Sequence, residues 1–249
     1  MFAQVQTYSS AVSNGMKIQR IIPAIIPDSL THLQSRLQEV HGVVNRVQID
    51  VMDGTYAPKP SWPYSGAGRE AFEAIRREDE GLPYWQDFDF EIDLLLRNPE
   101  TRIPEWGLAG VACLIFHIET TEKIEEIAQE CYERRIEMAL ALKPSTNIEI
   151  LAPYIERALF VQVMGNDRIG YHGMDFDIKA LATISAIKTR WPRTTVGVDI
   201  GVSAETLPDL CKAGATRFAA GSAVFNFSSP AGAISHLEGI AASCLENKI

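Results

Sequence analysis

Basic residues are scarce in this chain. Of 249 residues, 23 are Lys or Arg and 32 are Asp or Glu, a formal charge of −9. Nucleic acid and anionic membranes both demand a basic surface, so neither is expected as the main partner. A phosphorylated metabolite remains compatible, because backbone amides hold phosphate without net positive charge. No apolar run approaches the roughly 20 residues that cross a bilayer. The N-terminal stretch MFAQVQTYSSAVSNG has no basic start and no apolar core, so it does not read as a secretion signal. It is polar and serine-rich, and residues 1–15 are expected to form a loose extension ahead of one domain, 16–249. Met16 offers a second plausible start. The four cysteines, Cys113, Cys131, Cys211 and Cys244, have no C-x-x-C spacing. That argues against a disulfide framework and for reduced thiols in a cytoplasmic protein. No Pro-, Gly- or Ser-rich linker divides the chain.

What is present is an alternation. Eight β-rich apolar runs occur at 21–26, 46–52, 88–96, 110–118, 137–143, 158–164, 194–202 and 217–225. Helix-patterned stretches lie between them, at 29–40, 67–77, 120–134, 147–156, 177–190 and 204–213, with a closing helix over 229–245. Asp28 or Ser29 can cap the first helix, Thr120 or Thr121 the third and Ser203 the last of the six. Strands interleaved with helices imply βαβ units and a parallel sheet. Several runs are almost continuously apolar, as strands covered on both faces should be. Eight such units in about 250 residues predict an α/β fold of the (β/α)8 TIM-barrel type in one domain. An open nucleotide-binding sheet is the weaker alternative, because PDSL follows the first run where a glycine-rich turn would stand. In a barrel the stretch 54–87, with Trp62, Tyr64, Tyr84 and Trp85, is a long loop and a helix. Its aromatics either wall a pocket or pack the loop.

The ends of barrel strands build the site. Period-2 alternation puts Gln48, Asp50 and Met52 on one face of the second strand, and Glu91 and Asp93 on one face of the third. Asp199 lies inside VGVDIGV of the seventh. Acidic residues in apolar strands are costly unless paired, hydrogen-bonded or metal-bound. Asp50 and Asp199, on non-adjacent strands, can face each other across the barrel mouth and move one proton off a carbon and another onto it. Each can equally bond a backbone amide or cap a loop. Asp53, before Gly54, reads as a turn residue. Gly201 after the seventh strand, with Gly221 and Ser222 after the eighth, occupies the usual phosphate-binding place of this fold. The loop GNDRIGYHG (165–173), with Gly170, Gly173 and Arg168, can fold over a ligand.

IIPAII, VQIDVMDG, IDLLLRNPE, FHIE, LALKPST, VQVM, VDIGV and AGSAVF, in this order and spacing, resemble the ribulose-phosphate 3-epimerase family over residues 18–226. The resemblance implies a barrel acting on a ketopentose phosphate. The proton alpha to the carbonyl is removed, an enediolate forms, and the opposite face is reprotonated. The family's acid/base carboxylates match Asp50 and Asp199. Its phosphate-gripping amides match Gly201, Gly221 and Ser222, helped by the loop near Gly170 and Gly173. Its site-lining methionines match Met52 and Met164. A homodimer is likewise implied.

The chain departs from the pattern at its metal ligands. The family holds a divalent metal, often zinc, on two His and two Asp. Gln48 stands at the first His and Asp93 at the second, with Leu95 in place of a methionine. Ala24 replaces a substrate-contacting Ser, and Ile200-Gly201 replaces paired glycines. His117 matches a residue of the family's fourth strand that carries no ligand role. Gln48, Asp50, Asp93 and Asp199 form an oxygen-only set, suited to magnesium or manganese rather than zinc, or to no metal at all. Without metal, the clustered carboxylates repel and at least one pKa rises. Lys143 is a further candidate cation, although its K-P-x-T setting also occurs in the family. Three readings stay open: an epimerase with altered or absent metal dependence, a non-catalytic barrel binding a phosphorylated ligand or a partner, and another barrel enzyme on a phosphorylated substrate. The decarboxylase relatives carry Asp-x-Lys-x-x-Asp on a strand, whereas Asp50-Val51-Met52-Asp53 has no lysine.

Overall fold

The computed structural model describes residues 18–66, 68–171 and 173–246. The expected extension 1–15, Met16 and His172 lie outside the described residues. Eight parallel strands close into a barrel in chain order. They are β1 (Ile21–Ile25), β2 (Arg46–Val51), β3 (Asp89–Leu94), β4 (Cys113–His117), β5 (Glu137–Leu142), β6 (Val161–Met164), β7 (Val196–Asp199) and β8 (Arg217–Ala220). Around them run α1 (Leu30–Val40), α2 (Gly68–Arg76), α3 (Ile103–Leu108), α4 (Ile124–Arg134), α5 (Lys179–Arg190), α6 (Leu207–Ala213), α7 (Ser222–Phe225) and α8 (Pro230–Glu246).

Strand periodicity divides the side chains into two cores. Outward-facing residues such as Val47, Ile49, Val51, Ile92 and Leu94 join Leu33 and Leu37 of α1, Phe72 of α2, Trp106 of α3 and Ile184 of α5 in one continuous apolar layer. Residues of opposite parity fill the barrel. On the β4–β6 side these are small or apolar: Cys113, Ile115, Ala139, Ala141 and Phe160. On the β2–β3 side they are polar and fully buried: Gln48, Glu91 and Asp93.

Local chemistry explains where the structure differs from the periodicity. The stretch 147–156 is only a 3-10 turn, Ile148–Leu151. Pro153 has no N–H to donate and ends it. Between β3 and β4 lie a 3-10 turn, Pro99–Arg102, and α3 of six residues, too short to leave a periodic signal. The last run splits at Gly221, where β8 has ended and α7 begins. Ser29 does cap α1, accepting from the His32 N–H at 3.1 Å. At α4 the capping position falls on Lys123 rather than Thr120 or Thr121, and at α6 on Thr206 rather than Ser203. Thr120 instead donates its hydroxyl to the His117 carbonyl at 2.7 Å.

Candidate active site

The parallel register brings the polar strand residues level with one another. Gln48 pairs with Glu91, Asp50 with Asp93, and Met164 with Asp199. Because β7 follows β6 around a closed barrel, Asp199 reaches the interior near Asp50 although 149 positions separate them in the sequence. Asp50, Asp93 and Asp199 present carboxylate oxygens that all lie within 4.8 Å of one another, and all three residues are buried. The Gln48 amide bridges two of them, donating to Asp50 Oδ1 at 2.8 Å and to Asp199 Oδ2 at 3.3 Å. The Ile200 N–H donates to Asp199 Oδ1 at 2.8 Å.

Burial and neighbouring charge shift the protonation of Asp50 and Asp199. Burial, then Asp199 and Asp93, holds the Asp50 carboxyl well above the usual carboxylate range. Burial and the Asp93 charge push Asp199 up to about 7, against the hydrogen bonds from Ile200 and Gln48. His117 of β4 lies against Asp93. Burial alone would lower its pKa, but the adjacent Asp93 outweighs that and holds it above the ordinary imidazole value.

Asp93 is anchored from two strands. His117 Nε2 lies 2.9 Å from Asp93 Oδ1, and Gln162 Nε2 donates to Oδ2 at 3.3 Å. The sequence reading gave His117 no role and passed over Gln162. A signal was available, since each is a polar residue of inward parity in an apolar strand. Tyr56 was also missed. Its ring lies 5.4 Å from that of His117, and its hydroxyl donates to Glu119 Oε2 at 3.2 Å. Burial and Glu119 raise the phenol pKa, so this hydroxyl stays protonated.

A pocket opens above the aspartates. Its lining includes Asp50, Met164, Gly170, Gly173, Asp199, Gly201, Gly221 and Ser222, which brings most of the expected site residues to one cavity. Ala24, Leu95, Tyr171 and Met174 complete much of the rest. Met52 sits beneath it, buried with Leu95 and Met164. Gly201 has φ +72°, and a Cβ there would come within 2.7 Å of the Phe176 Cβ. Gly170 has φ +82°, and a Cβ there would come within 2.6 Å of the Ala57 Cβ. Both glycines therefore allow close approaches of backbone that no other residue permits. Ile200 keeps a φ of +76°, strained for a β-branched residue, while its side chain packs against the Met52–Met164 cluster.

Other expected residues fall elsewhere. Glu91, though on the face of Asp93, sits one layer lower, between Arg46 and Arg217. Asp53 is a turn residue, accepting from the Thr55 N–H at 2.9 Å. Lys143 lays its ammonium 4.5 Å from the centre of the Tyr56 ring. Arg168 approaches Tyr171 at 5.9 Å. Of the loop aromatics, Trp62 packs inward against Phe72 and Trp106, while Trp85 is exposed. The loop-packing role holds for Trp62.

Comparison with known proteins follows the same lines. The family model described as Ribulose-phosphate 3 epimerase family matches residues 20–225. The chain is 29% identical over 231 residues to "Ribulose-phosphate 3-epimerase" of Schizosaccharomyces pombe, covering 92% of this chain and 96% of that one. It is 26% identical to the protein of the same name from Bacillus subtilis, covering 88% and 98%. Among solved structures, 3-hexulose-6-phosphate synthase from Salmonella typhimurium superposes with a TM-score of 0.65 at 15% identity, over 90% of this chain and 99% of that one. Orotidine 5'-monophosphate decarboxylase from Sulfolobus solfataricus gives 0.58 at 15%, over 92% and 100%. At such identities these two likenesses speak for the fold alone.

Proposed function

The chain belongs to the ribulose-phosphate 3-epimerase family, which makes it an isomerase acting on a sugar phosphate, and we propose that Asp50 and Asp199 carry its chemistry. One carboxylate takes the proton from the carbon alpha to the ketone of a ketopentose phosphate, giving an enediolate. The other returns a proton to the opposite face. The observation that carries this reading is the pair itself: two buried carboxylates from β2 and β7, bridged by one Gln48 amide at the floor of a pocket. Two such groups share charge poorly, so one keeps a proton while the other is ionised. That is the state a two-base epimerisation starts from. The glycine-rich rim at Gly201, Gly221 and Ser222 receives the phosphate, with Gly170 and Gly173 above it. Met52 and Met164 supply an apolar bed that excludes water.

A divalent cation fits beside these residues. Three clustered carboxylates attract one, and the fully buried Gln48 Oε1 has no hydrogen-bond partner. Turning that amide over adds a fourth oxygen to Asp50, Asp93 and Asp199. An all-oxygen donor set suits magnesium or manganese better than zinc. When bound, such an ion supplies positive charge beside the developing oxyanion. Family membership also supports a homodimer, which sedimentation would check. The buried Cys113 and Cys131, in no disulfide, suit the cytoplasm.

The test is deuterium uptake into ribulose 5-phosphate in heavy water, with and without added Mn²⁺. Uptake by the wild type that is lost in Asp50→Asn and Asp199→Asn supports the proposal. No uptake from any pentose or hexulose phosphate under either condition would falsify it, and would leave a barrel that binds a phosphorylated ligand without turnover. Ala24, which has no hydroxyl to offer the substrate, favours that second reading.

A further inference from the structure

We infer that His117 is a positioning residue that holds Asp93 in place as an oxygen ligand, reversing the common order in which a histidine binds the metal and a carboxylate orients the histidine. The inference rests on the reading that Asp50, Asp93 and Asp199 hold a divalent cation.

Asp93 and His117 are both fully buried. His117 comes from the last position of β4, two residues beyond Ile115, the register partner of Asp93. Its Nε2 meets Asp93 Oδ1 at 2.9 Å, while Gln162 of β6 donates to Oδ2 at 3.3 Å. Both carboxylate oxygens are thus anchored. Each ionised oxygen has about two lone-pair sites, so an anchored oxygen keeps one free for a cation. The anchoring has a purpose in this setting. A third carboxylate beside two others is repelled, and a free side chain would rotate away from them. Donors from β4 and β6 fix it within the cluster without contributing a ligand atom themselves.

The imidazole is held in its turn. The Tyr56 ring lies against it, and Tyr56 is fixed by its bond to Glu119. Glu119 accepts from the Lys143 N–H at 2.8 Å and from the Thr146 hydroxyl. A chain of contacts therefore runs from the loop after β2, through Tyr56 and His117, to Asp93. Hydrogen bonds of this kind to metal ligands change affinity by about 10–100-fold when removed.

The measurement is Mn²⁺ affinity of the whole chain without substrate, read from the electron paramagnetic resonance of free Mn²⁺. Thermal unfolding in a chelator reports the fold separately. His117→Leu should bind Mn²⁺ about 10–100-fold more weakly than the wild type. His117→Gln, whose amide can still donate to Asp93, should recover to within a few-fold. Gln162→Leu removes the other anchor, should weaken binding in the same direction, and serves if His117→Leu does not fold. Unchanged affinity in a folded His117→Leu or Gln162→Leu protein, or a His117→Gln as weak as His117→Leu, overturns the inference alone. A wild type that binds no Mn²⁺ overturns the cation reading and this inference with it.

Discussion

The two ends of the barrel interior solve the same problem in opposite ways. Each buries acidic groups among apolar strands. At the N-terminal end Glu91, fully buried, is flanked by the guanidiniums of Arg46 and Arg217. Its charge is offset by the two guanidiniums. At the C-terminal end Asp50, Asp93 and Asp199 meet two neutral amides and one imidazole. Their charge is not matched, and burial together with the neighbouring carboxylates holds the Asp50 and Asp199 pKa values high. A paired carboxylate is structure. An unpaired cluster of them is a site that waits for a proton or a cation.

Breaking the unmatched end should have the largest effect. Asp50→Asn or Asp199→Asn should cut the rate of deuterium uptake about 10²–10⁴-fold, the usual worth of one acid/base group. Circular dichroism should show the fold intact. Breaking the matched end should do the reverse. Glu91→Leu leaves the buried Arg217 guanidinium without its carboxylate, while Arg46 keeps Asp89 and Glu137, and should cost about 3–5 kcal/mol in urea unfolding. Turnover per folded molecule should be unchanged, and a selective loss of activity there would erase the contrast between the two ends.

Exchanging ligand chemistry gives a smaller effect. In the double variant Gln48→His with Asp93→His, imidazole replaces two oxygen donors. The Zn²⁺-to-Mn²⁺ affinity ratio should rise by about tenfold or more. Equal ratios in the two proteins would remove the case for an oxygen-selective site.

The smallest effect is in pH. The folded pKa values of Asp50 and Asp199 lie above the unfolded value, so the folded state favours the protonated form. That stabilisation is complete below about pH 4, near the unfolded carboxyl pKa. It is lost as pH rises through the folded values, about 7 for Asp199. In chelator, Asp50→Asn should unfold at nearly the same temperature as the wild type near pH 4. By pH 8 it should unfold a few degrees higher, at about 2–4 °C per kcal/mol for a chain of this size. Mn²⁺ should close the gap by stabilising the wild type.

Much of this was legible in the residues. Eight apolar runs at barrel spacing settled the architecture, because strands covered on both faces must be apolar almost throughout. That same rule makes Asp50, Asp93 and Asp199 conspicuous. His117 and Gln162 carried the same signal and were passed over, since a single polar residue in a strand does not say which neighbour it will meet. Short elements were illegible as well. α3 has too few residues for a helical period, and the stretch over 147–156 has a helical pattern although Pro153 lets only one 3-10 turn form.

The sequence by itself determined which side chains face the barrel interior, because strand alternation is a local property of the backbone. Only the tertiary structure decided which of them touch. Closure of eight strands sets β7 across the barrel interior from the polar wall of β2 and β3, bringing Asp199 to Asp50 across 149 positions, and anchors Asp93 from β4 and β6. Those distances set the electrostatics, and no local pattern contains them.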